Sequence, residues 1–196
     1  MGRTAVKRNT AVLFLKLTGS CADRLFCPGG FGTTLAWCWR MMRLGKKGKL
    51  TVKTVLFLCT GNYYRSRYAE ILFNWKAHAS GMAWRAESRG LDPDPLNPGY
   101  MSRDTMAALR HLEIPFDNYL RLPLQVNEND FRAAHHVVAV KEAEHRPMIE
   151  KKFPTWLDRV EFWHVHDLDH WEPDEAIPTL DREVAGLVKR LMSIGE

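Results

Sequence analysis

The chain has 196 residues, of which 45% are hydrophobic and 26% are charged, and its formal net charge is +5. This composition is close to the average for globular proteins, which excludes wholesale disorder, collagen-like structure and coiled coil. No apolar run approaches the ~18 to 20 residues that a membrane-spanning helix needs. We therefore expect a soluble protein with a hydrophobic core and no membrane contact.

Charge and cysteine are unevenly distributed along the chain. Residues 1–50 contain ten lysines and arginines against Asp23 alone, whereas residues 51–196 contain 18 against 22 acidic residues. The basic isoelectric point therefore belongs mostly to the first segment, and it is no argument for nucleic-acid binding. Only Cys59 lies after residue 50, so the body has no internal disulfide, which favours a reducing, cytoplasmic compartment.

Residues 1–50 show neither helical nor strand periodicity. Their short apolar stretch, residues 11–17, is interrupted by Lys16 and lacks the cleavage site of a secretory signal. We interpret residues 1–50 as a basic extension, either disordered or preceding the true start, and residues 51–196 as the domain.

Strand and helix patterns alternate after residue 50. The predicted strands are 51–58, 84–88, 136–140 and 160–165. The predicted helices are 66–78, 102–112, 127–134, 142–152 and 174–192. This alternation predicts an α/β fold with a parallel sheet and helices on both faces. Ligands bind beyond the carboxyl ends of such strands, and the first strand ends at Cys59.

The segment after this strand reads Cys-Thr-Gly-Asn-Tyr-Tyr-Arg-Ser, residues 59–66. A turn that enters a helix directs backbone N–H groups and the positive end of the helix dipole at one point, which suits a tetrahedral oxyanion. Gly61 permits a tight turn, and Arg65 can present a planar fork of donors to two phosphate oxygens. The same field favours the thiolate form of Cys59, to which Ser66 can donate a hydrogen bond.

Residues 53–70, KTVLFLCTGNYYRSRYAE, resemble the phosphate-binding loop of the low-molecular-weight protein tyrosine phosphatases, a fold shared with arginine phosphatases and arsenate reductases. The resemblance extends more loosely over residues 52–192. It implies a three-layer sandwich with a four-stranded parallel sheet, and hydrolysis of phosphomonoesters through a phosphocysteine, with no metal and no cofactor. The implied substrate is a phosphorylated protein or a small phosphomonoester, and we expect a monomer or weak dimer.

The resemblance also implies roles for the loop residues. Cys59 would be the nucleophile, Arg65 the clamp for the phosphate, and Ser66 the activator of the thiolate. Asn62 would fix the loop through its side chain. The residues implied to bind phosphate are Thr60, Gly61, Asn62, Tyr63, Tyr64, Arg65 and Ser66.

A leaving alkoxide or phenoxide needs a proton, so a carboxylic acid should lie over the loop. The family resemblance implies an Asp, usually followed by Pro, after the last strand. The Asp-Pro pair is absent here, and we expect Asp167 to be the acid, with Asp169 as the alternative. Trp171 and Tyr63 are expected to line the substrate cleft.

Three residues depart from the resembled loop. Tyr64 stands where the family usually has a second cysteine, which removes a protective vicinal disulfide from the nucleophile. Tyr63 replaces the small Thr of the arginine-directed members, which argues against a phosphoarginine substrate. Arg67 replaces a common Pro, and we expect it to add positive potential at the mouth of the site.

Three other functions stay open. Arsenate reduction resolved by an external small thiol is compatible with the loop, although no cysteine follows Cys59 to serve an internal relay. A non-catalytic phosphate-binding module is the second. The third is a divalent metal site, for which the candidate ligands are His164, His166, Asp167, Asp169 and His170. Such residues more often form a polar rim, so we expect no metal.

Overall fold

The computed structural model describes residues 51–165 and 173–194, and the predicted basic extension lies outside them. The strands are β1 (Lys53–Cys59), β2 (Trp84–Gly90), β3 (His136–Ala139) and β4 (Val160–Phe162). The helices are α1 (Arg65–Ala79), α2 (Arg103–His111), α3 (Glu128–Ala133), α4 (Glu142–Lys152) and α5 (Pro173–Ser193). Two 3₁₀ turns, Asp117–Tyr119 and Pro154–Arg159, complete the regular structure of this part of the chain.

The four strands form one sheet in the order β2-β1-β3-β4, and every neighbouring pair is parallel. Because side chains alternate along a strand, β1 contributes Val55 and Phe57 to one core and Leu56 and Leu58 to the other. Helices α1 and α5 pack in the first core, and α3 and α4 in the second. The predicted three-layer α/β fold is confirmed.

The last strand is shorter than predicted. It ends at Phe162 instead of Val165, although the N–H groups of Trp163 and Val165 still donate to carbonyls of the neighbouring chain segment. The reason is that β3 itself ends at Ala139, where the chain turns towards α4, so β4 has no regular partner beyond Phe162.

Helix α2 begins where the sequence predicts, and its start is tied to the loop after β1. The Ser102 side chain caps the helix by accepting from the N–H of Thr105 at 3.1 Å. The N–H of Ser102 donates to the Tyr63 carbonyl at 2.9 Å, and the Thr105 hydroxyl donates to the Tyr64 carbonyl at 3.3 Å. The position of α2 therefore depends on the conformation of residues 59–66.

Gly90, at the end of β2, lies unusually close to the same loop. A Cβ atom at Gly90 would stand 2.7 Å from the Thr60 carbonyl oxygen, 2.6 Å from Pro93 Cγ and 3.1 Å from Asn62 Cβ. The backbone beside it is also engaged, since the N–H groups of Leu91 and Asp92 donate to the carbonyls of Cys59 and Thr60. The absence of a side chain at residue 90 is what lets β2 support the loop at this distance.

Gly90→Ala should therefore displace the loop and lower the free energy of unfolding by about 1–3 kcal/mol, the usual cost of overpacking. Gly186→Ala is the control, because a Cβ there meets only the flexible end of Arg190 at 3.7 Å and alanine favours a helix by about 1 kcal/mol. Urea denaturation of both variants measures the two effects. Equal stability of the two would contradict the steric role of Gly90.

Candidate active site

The sulfur of Cys59 lies at the end of β1, with the residue only 2% exposed, and it is surrounded by donors. The Asn62 N–H donates to Sγ at 3.2 Å, and the Ser66 hydroxyl lies 2.9 Å from Sγ. Ser66 Oγ also accepts a hydrogen bond from Asn62 Nδ2 at 3.1 Å. When Cys59 is ionised, Ser66 is the necessary donor to the sulfur, because a thiolate can only accept.

The loop turns at Asn62, which has a positive φ of 50° and is fully buried. Its side-chain amide makes two donations, to Ser66 and to Ser88 Oγ at 2.8 Å. Its Oδ1 accepts from Arg121 and from the N–H of Leu124, both at 3.0 Å. The left-handed residue is thus Asn62, a residue type that tolerates this conformation, and not Gly61 as the sequence suggested.

Helix α1 starts at Arg65, directly after the loop, and has no acidic side chain in its first turn. The positive end of its dipole is therefore not offset within the helix. The predicted phosphate-binding residues, 60–66, connect this helix end to Cys59. A helix N-terminus joined to a glycine-containing loop is an arrangement that binds phosphate and similar anions.

The Arg65 side chain is 1% exposed and forms a two-pronged ion pair with Glu144, in the first turn of α4. Its Nη1 and Nη2 each lie 3.1 Å from one carboxylate oxygen. The Thr60 hydroxyl donates to the same carboxylate, and the carbonyl of Val165 lies 3.5 Å from Arg65 Nη1. These contacts fix the guanidinium plane beside the loop.

The Glu144 carboxyl group has a lowered pKa in this setting. Burial by itself would raise the pKa of the Glu144 carboxyl, but hydrogen bonds with His145, Arg65 and Thr60 outweigh it. The net result is a pKa far below the ordinary value of 4.5. The ion pair with Arg65 therefore persists throughout the neutral pH range.

A second charged cluster lies on the other side of the loop, and we call it the rear cluster: Arg67, Arg121, Glu70 and Ser88. Glu70 Oε2 accepts from Arg67 at 2.8 Å, from Ser88 at 2.6 Å and from Arg121 at 3.1 Å. Arg67 is fully buried, and its second terminal nitrogen donates to the Tyr119 carbonyl. The expectation that Arg67 lies at the mouth of the site was wrong, because Glu70 draws the side chain inward.

An open cleft of about 440 Å³ lies over the sulfur. Its lining residues are Cys59, Gly61, Tyr63, Tyr64, Arg65, Asn97, Pro98, Ser102, Arg103 and Asp104. Tyr63 is held against the opposite wall by a hydrogen bond of 2.6 Å from its hydroxyl to the Pro98 carbonyl. Tyr64 also lines the cleft but is mostly buried in the hydrophobic core. Asp167, Asp169 and Trp171 lie outside the described residues.

Within residues 51–165 and 173–194, no group of three His, Cys, Asp or Glu side chains is arranged to hold a metal ion. Of the candidate metal ligands, only His164 is described, and its Nε2 lies 3.8 Å from Glu142 with the side chain 77% exposed. The other four candidates, from His166 to His170, lie outside the described residues.

Three residues at or next to the loop were not expected from the sequence: Glu144 and Arg121, which contact it, and Glu70, which pairs with Arg121 and Arg67. A signal existed for Glu144, since it follows β3, and β3 pairs with β1, so both strands end at the same edge of the sheet. Glu70 lies on α1, one turn from Arg67, which is the spacing of a helical ion pair. Arg121 lies in an irregular segment and has no local signal.

A buried cysteine and a buried arginine line one cleft at the carboxyl end of a four-stranded parallel sheet, where the loop between them leads into a helix. This arrangement is typical of a class of α/β proteins that bind phosphate-like oxyanions. The sequence profile of the low molecular weight phosphotyrosine protein phosphatases matches residues 54–181. The chain belongs to this family.

Known relatives agree with this assignment. An arsenate reductase from Bacillus cereus is 28% identical over 144 residues, which are 74% of this chain and 97% of that protein. A low molecular weight protein tyrosine phosphatase from T. tengcongensis is 26% identical with a TM-score of 0.59, covering 72% of this chain and 98% of the other. A mutant of YwlE from Bacillus subtilis is 24% identical with a TM-score of 0.61, and the match covers 71% of this chain and 99% of the other.

Family membership indicates an enzyme, either a phosphatase or an arsenate reductase. None of the helices in the described residues is long and apolar enough to cross a membrane.

The Glu144 ion pair makes stability depend on pH. A folded-state pKa below the ordinary one contributes stability that is present above pH 4.5 and is lost as the pH falls below it. Between pH 6 and pH 3, the wild type should therefore lose about 1–2 kcal/mol more unfolding free energy than Glu144→Gln does. Glu142→Gln, on the same helix but paired with Arg146 at the surface, should keep the wild-type loss. Parallel losses in wild type and Glu144→Gln would refute the role of this carboxylate.

Proposed function

We propose that the protein hydrolyses phosphomonoesters, as a protein tyrosine phosphatase does, through a phosphocysteine on Cys59. The observation that carries the proposal is the environment of the sulfur, which receives the Asn62 N–H and lies 2.9 Å from the Ser66 hydroxyl at the start of α1. Donors at these distances can hydrogen-bond a thiolate, which is the nucleophilic form of cysteine. Arg65 and the amides of residues 60–66 then bind the phosphoryl oxygens.

The reaction has two displacements. In the first, the Cys59 thiolate attacks phosphorus, the S–P bond forms, and the bond from phosphorus to the leaving oxygen breaks while a carboxylic acid protonates that oxygen. In the second, the resulting carboxylate takes a proton from water, whose oxygen attacks phosphorus and releases phosphate and the thiolate. Both steps depend mainly on positioning and on stabilisation of the phosphoryl charge by Arg65 and the loop amides.

Asp167 is the proposed acid. The last described residue before it, Val165, is buried, and its carbonyl lies 3.5 Å from Arg65 Nη1. Asp167 follows Val165 by only two residues in the sequence, which is why it is preferred as the acid. Asp169 is two residues further along and is the alternative acid.

An arsenate reductase is the second candidate, because the relative from Bacillus cereus carries that name. The sequence has no cysteine after Cys59, so arsenate reduction here would need an external thiol. The cleft of about 440 Å³, with Tyr63 and Pro98 in its lining, provides room for an organic leaving group that arsenate lacks. We therefore place phosphomonoester hydrolysis first.

Hydrolysis of an aryl phosphate should be abolished in Cys59→Ser, because the serine hydroxyl is a far weaker nucleophile than a thiolate at neutral pH. Arg65→Ala should lower kcat/KM by at least about 10³-fold, since it removes the proposed phosphoryl clamp. The rates of both variants are measured by monitoring the absorbance of the released phenol.

Arg132→Met, an exposed change on α3, is the control and should retain wild-type rates. The same enzyme is also incubated with arsenate and a small thiol, and thiol consumption is followed. Arsenate-dependent thiol consumption without ester hydrolysis would replace the phosphatase with the reductase. Phosphate binding without either reaction would identify the protein as a non-catalytic phosphate-binding module.

The general acid can be identified because its removal lowers kcat more for a substrate whose leaving group needs a proton. Asp167→Asn should lower kcat by about 10²-fold or more for a phenyl phosphate, whose leaving oxygen needs the proton, and much less for a nitrophenyl phosphate. Asp169→Asn is the matched control and should affect both substrates alike. The reverse result would assign the role to Asp169.

A further inference from the structure

A continuous path of buried hydrogen bonds joins the Cys59 sulfur to the rear cluster. Ser66 contacts the sulfur at 2.9 Å and accepts from Asn62, which also donates to Ser88 at 2.8 Å. Ser88 in turn donates to Glu70 at 2.6 Å. These five side chains are almost fully buried, so electrostatic effects at one end act on the other with little screening by solvent.

The rear cluster carries an excess positive charge. One carboxylate, Glu70, serves two guanidiniums, those of Arg67 and Arg121. Burial is the main influence on Arg67 and lowers its pKa to about 10, so the side chain remains charged at neutral pH. Two positive charges therefore face one negative charge beneath the nucleophile loop.

Arg67 is costly for the fold to bury. Arg121 is sufficient to pair with Glu70, and a second arginine that is 0% exposed adds a large desolvation cost. The Nε–H of Arg67 is buried and has no hydrogen-bond partner among the described residues, which adds a further cost. The desolvation cost of burying Arg67 next to the loop has an explanation if the positive charge of its side chain acts on an anion bound there.

We propose that Arg67 is a positioning residue for anions, whose buried charge, together with Arg121, favours the Cys59 thiolate and a bound phosphoryl group through the Glu70–Ser88–Asn62 path. The proposal rests on the proposed function of the loop and adds a source of positive charge behind it. Electrostatic coupling between two groups is mutual, and Cys59 is among the groups that favour the charged form of Arg67.

Other charged groups around the loop do not cancel this excess. On α1 and α4, Arg65 is paired with Glu144, which also lies 3.6 Å from Lys141 and 3.5 Å from His145. On β2, the side chain of Arg89 pairs with Glu87 and with Asp130. Within the described residues, the carboxylate of Glu144 is thus already shared by Arg65 and Lys141, and it does not offset the positive charge of the rear cluster.

The test compares Arg67→Met, which removes the charge at similar length, with Arg67→Lys, which retains it. Two readouts are used that need no turnover: binding of inorganic phosphate by calorimetry, and the pH dependence of Cys59 alkylation by iodoacetamide. We expect Arg67→Met to bind phosphate about tenfold more weakly and to be alkylated only at higher pH, the order of effect of one unit charge in a partly shielded interior. Arg67→Lys should keep most of the wild-type phosphate affinity and most of the wild-type alkylation at lower pH. Arg132→Met should change neither readout.

Glu70→Gln provides a test of opposite sign. It removes the negative charge at nearly constant shape, so phosphate should bind more tightly and alkylation should extend to lower pH. A role limited to holding the loop predicts that Glu70→Gln and Arg67→Met both weaken phosphate binding, and that result would overturn the proposal. It would equally be overturned if folded Arg67→Met matched the wild type in both readouts.

These outcomes are separate from those of the proposed function. A wild type that binds phosphate and responds to Arg67→Met, but hydrolyses no ester, would refute the hydrolase and retain the charge effect. A wild type that hydrolyses esters, with no response to Arg67→Met in either readout, would refute the charge effect alone.

Discussion

The site depends on the side-chain amide of Asn62, whose hydrogen-bonding capacity is fully used. An asparagine amide has two N–H donors and two acceptor lone pairs, and here the donors go to Ser66 and Ser88 while the acceptors receive Arg121 and the Leu124 N–H. These four bonds join the start of α1, the strand β2 and the segment before α3. They also hold a residue with φ of 50° at the point where the loop turns towards the sulfur.

The parallel sheet explains why residues so far apart in sequence meet at this loop. β1 is bordered by β2 and β3, and all three strands end at the same edge. The segment after β2 supplies Asn97 and Pro98 to the cleft, and the segment after β3 supplies Glu144 to Arg65. The segments that follow β2 and β3 at that edge therefore supply part of the cleft lining and the partner of Arg65.

The parts of the molecule that the sequence predicted well are those determined by short stretches of chain. The helices follow from local apolar periodicity, and the loop from eight consecutive residues, Cys59 to Ser66, between a strand and a helix. The placement of Arg67 was not predictable in this way. Its inward direction depends on Glu70 and on the Tyr119 carbonyl, which is 52 residues away in sequence. Likewise, the end of β4 depends on where its partner β3 ends, which the residues of β4 do not encode.

Two of the substitutions that distinguish this loop from the resembled one, Tyr64 and Arg67, act in the same direction on the sulfur. Tyr64, where a second cysteine is usual, packs into the same core cluster as Cys59 and is 6% exposed, so residue 64 offers Cys59 no partner for a protective disulfide. Arg67, where proline is usual, adds a buried positive charge behind the loop, and the proposal above makes this charge a source of greater reactivity at the sulfur. A reactive cysteine without a second cysteine beside it is easily over-oxidised, and burial limits this here because Cys59 is 2% exposed. Access to the sulfur is then restricted to molecules that enter the cleft. In the proposed reaction, an oxyanion held there by Arg65 and the loop would also shield the sulfur from oxidants.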